Sequence, residues 1–266
     1  MQSASRKIAF VLAATDHGTM IVNRLDYAAQ SDKQMFGVGY DLLETAAYSP
    51  GEVQFALSVL ELRRRYAGDG VVAVDCGANI GVHTVEWARR MTGWGSVIAI
   101  EAQERIYYAL AGNIAISNCL NARALHAAAA AAAEPGRMRM PIPDYLRPMS
   151  FGSLELRQRE KGESIGQTID YSQTGTVEIG TLSIDSLALP RIDLLKIDVE
   201  GMEFEVLAGA AGAIAASHPI LMVEWFKVDK EGLKAWLTDR GYVVFELGLN
   251  LVAIHGTDPC LGHIKK

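Results

Sequence analysis

Short apolar runs of β type alternate with longer helical patterns along the 266-residue chain. The clearest run is Val71–Val74, which is apolar and rich in β-branched residues, as is typical of a strand buried on both faces. Gly77 and Gly81 follow, and the pattern is helical from Val82 onward. The stretch Val71–Glu86 therefore predicts a strand, a glycine turn and a helix start, whose free N–H groups face a ligand.

The same rhythm of strands and helices continues to the end of the chain. Further strands are predicted at Val97–Glu101, Ala122–Ala127, Leu194–Val199, Pro219–Phe226, Tyr242–Leu247 and Leu251–His255. Helices are predicted from Val82 to Met91, Gln103–Ile116, Met202–Ala216 and Lys230–Arg240. Five βα-type strands followed by a terminal hairpin predict an α/β fold with a mostly parallel sheet and a C-terminal antiparallel hairpin.

An N-terminal extension over residues 1–69 precedes this predicted main domain of residues 70–266. Two apolar runs around the turn Thr15–Gly18 predict a β-hairpin. The glycines of Met35–Tyr48 indicate irregular structure, and the start signal Ser49–Glu52 predicts a helix that ends near Tyr66.

An insertion is predicted at about residues 134–180, where the βα rhythm breaks. Its β-type pieces are Met138–Ile142, Phe151–Arg157 and Val177–Leu182, which predict an antiparallel excursion over the carboxyl end of the sheet. The alanine run Ala127–Ala133 just before it predicts a strand end and one helical turn, since Pro135 stops a longer helix.

Composition narrows the class of protein. Half of the residues are apolar, enough for a sizeable core, and the net charge of −6 argues against a nucleic-acid partner. The three cysteines, Cys76, Cys119 and Cys260, have neither CxxC nor zinc-like spacing, so we expect a reduced, cytoplasmic setting. The apolar run Ile8–Ala14 is interpreted as a strand, and no stretch is long enough to span a membrane.

The residues of the glycine turn indicate which kind of cofactor binds there. Gly77 and Gly81 with Asn79 between them lack the middle glycine of the dinucleotide fingerprint. A pyrophosphate needs that close backbone approach, whereas a methionine tail does not. Glu101 ends the next strand at a spacing of about 20 residues, which predicts a carboxylate beside a nucleoside ribose. Asp75 suits a cationic ligand such as S-adenosylmethionine, which carries a sulfonium and an ammonium group.

Three segments resemble the FkbM family of S-adenosylmethionine-dependent methyltransferases. They are DCGANIG with IEAQ, IDLLKIDVEGMEFEVLAGA, and HPILMVEW, and the resemblance extends from about Val71 to the C-terminus. It implies a class I methyltransferase fold and methyl transfer mainly to hydroxyl groups of sugars or polyketide-type natural products, with some members methylating nitrogen. The family pattern usually has Pro after the ribose-binding Glu, where this chain has Ala102.

Seven residues are predicted to bind S-adenosylmethionine: Asp75, Gly77, Asn79, Gly81, Thr84, Glu101 and Ala128. We expect Asn79 to donate to the carboxylate of the amino acid tail, and Thr84 either to do the same or to bond its own helix. The small side chain of Ala128 leaves room for an adenine ring, although the alanine run is equally explained by low-complexity drift.

Acidic residues at strand ends are the candidates for catalysis. Asp198, Glu200 and Glu224 are predicted at the carboxyl edge of the sheet, with Lys196 on the same face as Asp198. An alcohol acceptor must lose a proton, so one of these carboxylates is predicted to be the base. They could instead hold Mg²⁺, but this alternative is not favoured because the sequence has no dedicated metal-binding loop. Glu203 is predicted either to complement a helix dipole or to join the site.

Other assignments stay open from the sequence. His83 and His126 are alternative bases. The first alternative function is that of an N-methyltransferase with the same fold. A NAD-binding oxidoreductase and a non-catalytic nucleotide-binding module are the further alternatives. We expect a small-molecule acceptor, no nucleic acid and no membrane, and a homo-oligomer is compatible with the sequence. The extension and the insertion are predicted to shape the acceptor pocket, with Tyr145 and Phe151 as candidate stacking residues.

Overall fold

The computed structural model of the protein describes residues 6–31, 34–131, 136–159 and 164–264. Its strands are β1 Phe10–Thr15, β2 Gly18–Asn23, β3 Ala28–Ser31, β4 Gln34–Phe36, β5 Val71–Cys76, β6 Gly95–Glu101, β7 Ala122–His126, β8 Ala128–Ala129, β9 Gly136–Pro141, β10 Thr176–Leu182, β11 Leu194–Ile197, β12 Ile220–Glu224, β13 Tyr242–Leu247 and β14 Asn250–His255. Its helices are α1 Val38–Thr45, α2 Pro50–Ala67, α3 Val82–Arg90, α4 Glu104–Ile116, α5 Glu203–Gly209, α6 Ala211–Ser217 and α7 Lys230–Thr238.

The chain divides into two compact units. The first contains Met1–Tyr48 and Arg139–Glu178, and the second contains Ser49–Met138 and Ile179–Lys266. These limits differ from the predicted boundary at residue 70, because helix α2 belongs to the unit that holds the main sheet. Among the described helices, none has both the length and the apolar character that crossing a membrane requires.

The second unit is built on a seven-stranded sheet with the order β13-β14-β12-β11-β5-β6-β7. The pairs from β12 through β7 are parallel, and β14 runs antiparallel to both β12 and β13. The predicted fold class is confirmed, since this is the class I methyltransferase arrangement of five parallel strands and a terminal hairpin.

Strand β5 is central because both of its faces are covered. All six of its residues are buried. Val71 and Ala73 pack into one apolar cluster with α2 and α3, whereas Val74 and Cys76 pack into another with α5, α6 and α7. Successive side chains of a strand point to opposite faces, so the continuous apolar run in the sequence corresponds to a sheet between two helical layers.

In the first unit, the predicted hairpin is confirmed and the predicted irregular segment is wrong. β1 pairs antiparallel with β2, from Phe10 opposite Asn23 to Thr15 opposite Gly18. Helix α1 forms within the segment expected to be irregular. Gly39 lies so close to Asp26 that an added Cβ would be 2.6 Å from the Asp26 Cβ, and the Gly39 N–H donates to Asp26 Oδ2 at 3.0 Å. Gly39 therefore allows close packing at the start of this helix.

The insertion differs from its prediction in two ways. No strand forms at Phe151–Arg157 within the described residues, because the Phe151 N–H donates to Asp26 Oδ1 at 2.9 Å and the Ser150 and Ser153 hydroxyls hydrogen-bond across a turn. The insertion is also not purely antiparallel, since β10 pairs with β8 in parallel register. The Tyr145 and Phe151 rings stack on each other, with centroids 4.9 Å apart.

Two helical predictions in the second unit are also wrong. The helix predicted over Met202–Ala216 is two helices, α5 and α6, that meet at Ala210. An added Cβ on Gly209 would be 2.1 Å from the Ala130 carbonyl oxygen, so this point of the chain packs directly on the backbone after β8. Ala128 and Ala129 form strand β8 where a helical turn was expected, and residues 132–135 of the alanine run lie outside the described residues.

Candidate active site

The turn between β5 and α3 is built from three residues in the left-handed region. Gly77 has φ 78°, Asn79 has φ 51° and Gly81 has φ 90°. The N–H groups of Gly77 and Ala78 both donate to the Ile100 carbonyl oxygen, at 2.9 and 3.0 Å. A Cβ on Gly77 would be 1.7 Å from the Asp198 carbonyl oxygen. Glycine is therefore required here both by the backbone conformation and by the approach of the chain after β11.

Glu101 is fixed against this turn at the end of β6. Its side chain accepts hydrogen bonds from the Asn79 N–H at 3.0 Å and the Gln103 N–H at 2.7 Å, and it is 5% exposed. Burial raises the pKa of Glu101 to about 7, although these backbone donors lower it. Each carboxylate oxygen has further lone pairs, so the group can still accept from a pair of hydroxyls.

Asp75 and Thr84 form a buried pair at the foot of the turn. The Thr84 hydroxyl donates to Asp75 Oδ2 at 2.7 Å, and its contact with a cofactor stays a prediction. Asp75 is 1% exposed, burial raises its pKa, and among the described residues its Oδ1 has no hydrogen-bond partner. Ala128 is buried in β8 opposite Thr181 of β10, and its contact with a cofactor stays a prediction.

The three acidic residues predicted for catalysis converge. Asp198 follows β11, Glu200 lies in the next turn and Glu224 ends β12. One oxygen from each carboxylate lies within 4.8 Å of those from the other two. They lie beside the turn between β5 and α3, since the Asp198 N–H donates to the Cys76 carbonyl oxygen at 3.0 Å. We call Asp198, Glu200 and Glu224 the carboxylate cluster.

Two buried lysines compensate part of the charge of the carboxylate cluster. Lys196 Nζ lies 2.8 Å from Asp198 Oδ2, and Lys227 Nζ lies 2.6 Å from Glu200 Oε2. Burial raises the pKa of Glu200 and of Glu224, and the nearby carboxylate of Asp198 raises both further. Lys227 opposes this shift at Glu200, so the neutral form is favoured at Glu224, and a neutral carboxyl group can donate a hydrogen bond.

Glu52 and Asn250 also belong to this edge of the sheet, and sequence reasoning missed both. Glu52, in the first turn of α2, accepts a hydrogen bond from Asn250 Nδ2 at 3.0 Å. Asn250 is opposite Glu224 in the β12–β14 pair. Burial raises the pKa of Glu52, while the charge of Lys196 lowers it. In the sequence Glu52 belongs to a helix-start signal and Asn250 to a hairpin turn, so neither pattern indicates a site.

The two histidines considered as bases have other neighbours. The His83 ring lies against Trp87 in an edge-on arrangement, with centroids 5.6 Å apart. His126 Nε2 lies 3.1 Å from the Ala102 carbonyl oxygen, and its ring stacks on Tyr107 at 5.0 Å. These contacts place His126 beside the loop after Glu101, and its use as a base stays a prediction.

The carboxylate cluster also offers ligands for a hard cation. Three carboxylate oxygens are of the type that Mg²⁺ prefers. However, Asp198 and Glu200 each already have an ammonium group within 3 Å, so their charge is compensated without a metal ion.

A comparison with protein families decides the class of protein. Residues 75–244 match the methyltransferase FkbM domain, which is well over half of the chain. The chain belongs to the FkbM methyltransferase family. The predicted FkbM family is thereby confirmed. No curated protein matches the chain.

Several solved structures are similar to this FkbM-family protein. Methyltransferase FkbM from Methylobacillus flagellatus KT is 16% identical with a TM-score of 0.49, over 70% of this chain and 44% of that one. Precorrin-6y C5,15-methyltransferase from Geobacter metallireducens GS-15 is 16% identical with a TM-score of 0.45, over 79% and 89%. Magnesium protoporphyrin IX methyltransferase from Synechocystis PCC 6803 with bound S-adenosylmethionine is 12% identical with a TM-score of 0.45, over 88% of each chain. The present chain spans less than half the length of the Methylobacillus protein.

Proposed function

We propose that this FkbM-family protein transfers a methyl group from S-adenosylmethionine to a hydroxyl group of a sugar or natural-product small molecule. The observation that supports the proposal is the convergence of Asp198, Glu200 and Glu224 directly beside the turn between β5 and α3. A hydroxyl acceptor must lose a proton as it attacks, and this arrangement supplies carboxylates at the edge of the sheet where ligands bind.

The described residues fit the cofactor. When bound, S-adenosylmethionine supplies an electrophilic methyl group on a positively charged sulfur. Asp75 has a buried carboxylate oxygen without a partner among the described residues, which suits a cationic group. Backbone N–H groups hold the Glu101 side chain, which is proposed to accept hydrogen bonds from the ribose hydroxyls. Asn79, Gly81 and Thr84 shape the turn around it.

Asp198 is proposed as the base that removes the acceptor proton. Its side chain is 28% exposed, so it is open to a ligand, and Lys196 Nζ lies 2.8 Å from its Oδ2. Glu224, whose raised pKa favours the neutral form, donates a hydrogen bond and, with Glu200 paired to Lys227, holds the acceptor oxygen in line. Holding the reacting atoms in this alignment supplies much of the acceleration.

The reaction is proposed to proceed without Mg²⁺, since Lys196 and Lys227 compensate two of the three carboxylates. The acceptor is proposed to be a small molecule rather than a nucleic acid, because the chain carries a net charge of −6 and its site is acidic. An amine acceptor would lose its proton to the same carboxylates, so the site does not distinguish N-methylation from O-methylation. Identification of the methylated atom in the product distinguishes the two reactions.

Cofactor binding and transfer are tested on the full chain. Isothermal titration is expected to detect S-adenosylhomocysteine and to detect no NAD. Incubation with radiolabelled S-adenosylmethionine and a panel of methyl glycosides, polyketide alcohols and amino sugars is expected to label a hydroxyl, equally with and without EDTA. Labelling of nitrogen would favour the alternative, and loss of activity in EDTA that Mg²⁺ restores would show a metal-dependent site.

The Asp198→Ala variant tests the base within the same assay. Transfer is expected to fall by about 10²-fold or more, because a positioned base contributes about that much. S-adenosylhomocysteine affinity is expected to stay within about threefold, since the lost group faces the acceptor. Full activity in this variant would place the base elsewhere, with His83 and His126 as the next candidates.

A further inference from the structure

The turn that carries Glu200 is held in an uncommon conformation. Glu200 has φ 58° and Gly201 has φ 99°, so two successive residues lie in the left-handed region. A residue with a side chain rarely adopts this conformation unless its surroundings fix it. The turn places the Glu200 carboxylate 2.6 Å from Lys227 and within the carboxylate cluster.

One end of this turn is fixed by the central strand. The Asp198 N–H donates to the Cys76 carbonyl oxygen at 3.0 Å, and the Asp198 carbonyl oxygen lies against Gly77. These contacts hold the residue that precedes the turn. They do not involve the peptide group between Glu200 and Gly201.

The other end is fixed by Glu203. Its Oε1 accepts hydrogen bonds from the N–H groups of Val199 and Gly201, both at 3.1 Å. These donors belong to the residues on either side of Glu200, and the Gly201 N–H is part of the peptide group that follows Glu200. Glu203 is 1% exposed, so these are buried bonds to a carboxyl group, which are among the stronger hydrogen bonds in proteins.

This geometry decides between the two roles that the sequence leaves open for Glu203. Helix α5 begins at Glu203, but the residues that donate to its side chain precede the helix. A carboxylate that merely complemented the helix dipole would act equally well from Glu205, which is in the same first turn. The bonds of Glu203 are specific to the turn before it.

We propose that Glu203 is a positioning residue for methyl transfer. Through Val199 and Gly201 it holds Glu200 in the left-handed conformation that brings its carboxylate to Lys227 and to the carboxylate cluster. Glu203 touches the turn and not the acceptor. The inference deepens the proposed function and rests on it, because Glu200 matters for the rate only if the carboxylate cluster handles the acceptor proton.

The closing experiment compares Glu203→Ala, Glu203→Gln and the control Glu205→Ala in the full chain. The first readout is hydrogen exchange at the amides of Val199 and Gly201, which does not depend on activity. Protection at both amides is expected to fall at least tenfold in Glu203→Ala, because the acceptor is lost. Glu205→Ala is expected to leave both amides protected.

The second readout is transfer of the radiolabelled methyl group to the panel of methyl glycosides, polyketide alcohols and amino sugars. In Glu203→Ala, kcat is expected to fall by about 10²-fold, since a small misplacement of catalytic groups costs about that much. The affinity for S-adenosylhomocysteine is expected to change little, whereas the thermal midpoint is expected to fall by a few degrees because two buried N–H groups lose their acceptor. The Glu203→Gln amide oxygen can accept the same bonds, so its kcat should recover to within about tenfold of wild type.

The outcomes separate this inference from the function it rests on. A wild-type protein that labels no panel member overturns the proposed function, and the exchange readout still reports whether Glu203 holds the turn. Unchanged amide protection in Glu203→Ala overturns the positioning role. So does an active wild type whose kcat is unaffected by Glu203→Ala, or is reduced equally by Glu205→Ala.

Discussion

At the residue scale, Glu52 and Asn250 share a hydrogen bond of 3.0 Å although they are 198 residues apart in the sequence. Both lie outside residues 75–244, the part that matches the FkbM domain. Asn250 is 4% exposed and lies opposite Glu224, so this bond supports the carboxylate cluster from the side of α2 and β14. A donor buried to this extent needs an acceptor.

Substitution of Glu52 tests this support. Glu52→Ala removes the acceptor of the buried Asn250 amide, so the free energy of unfolding should fall by about 1–3 kcal/mol. In Glu52→Gln the side-chain oxygen can accept the same bond, and most of that stability should return. Urea unfolding measures both variants. The control is Glu61→Ala on an exposed position of the same helix, where a change within about 0.5 kcal/mol is expected. Equal effects of Glu61→Ala and Glu52→Ala would contradict the interpretation.

At the scale of elements, Asp26 shows how one side chain joins segments that are distant in sequence. It accepts from the Gly39 N–H at the start of α1 and from the Phe151 N–H in the insertion. Two residues predicted separately, one as irregular structure and one as a strand, are thus organised by the same carboxyl group. Burial raises the pKa of Asp26 to about 6, and the backbone donors lower it by less.

The raised pKa of Asp26 predicts the direction of a pH effect. In the unfolded chain this group titrates near its ordinary pKa of about 3.9. Between about pH 7 and pH 5 the folded protein therefore takes up a proton that the unfolded chain does not. The free energy of unfolding should rise by about 1.4 kcal/mol from this group as the pH falls through that window.

Comparison of wild type with Asp26→Asn isolates the contribution, because the variant has no carboxyl group to titrate. Urea unfolding at about pH 7 and about pH 5 should show the extra pH dependence in wild type only. Asp16→Asn is the control, since Asp16 is exposed in the same unit and should leave the dependence unchanged. An identical pH dependence in wild type and Asp26→Asn would contradict the prediction.

At the scale of the whole molecule, the amino and carboxyl ends of the main sheet differ in how far the charges of their carboxylates are paired. At the amino end of β11, buried Asp193 accepts from Arg63, from Arg191 and from the Val72 N–H. Arg63 also forms an ion pair with Asp258 near the end of the chain. At this end, Asp193 and Asp258 each have a cationic or N–H partner. These contacts connect α2 and the segment around Asp258 to the sheet. The carboxyl end instead holds the carboxylate cluster, with only part of its charge compensated.

Removal of Asp193 should therefore destabilise the protein strongly. Asp193→Ala leaves Arg63 partly buried with one partner fewer, and breaking a buried ion pair typically costs about 3–5 kcal/mol. Asp69→Ala is the control, because its pair with Arg64 is exposed and contributes about 0–1 kcal/mol. Thermal and urea unfolding measure both. A loss for Asp193→Ala no larger than for Asp69→Ala would show that the buried network does not stabilise the fold.

The sequence by itself determined the central sheet, the glycine turn and the acidic strand ends. Strand β5 is buried on both faces, so its apolar run is visible locally, and the turn residues Gly77 and Gly81 follow from the backbone that the turn requires. Because parallel strands end at one edge, the positions of Asp198 and Glu224 in the sequence were enough to predict that they meet.

Only the tertiary structure decided which partners these residues have. The break at Ala210, the helix at Val38–Thr45 and the loop at Phe151 depend on contacts with backbone or side chains far away in sequence. The same holds for Lys227 beside Glu200 and for Glu52 beside Asn250. Local patterns report which face of an element is apolar, whereas the partner of a buried polar group is set by packing. That packing converted a series of acidic strand ends into a site whose charge is partly compensated.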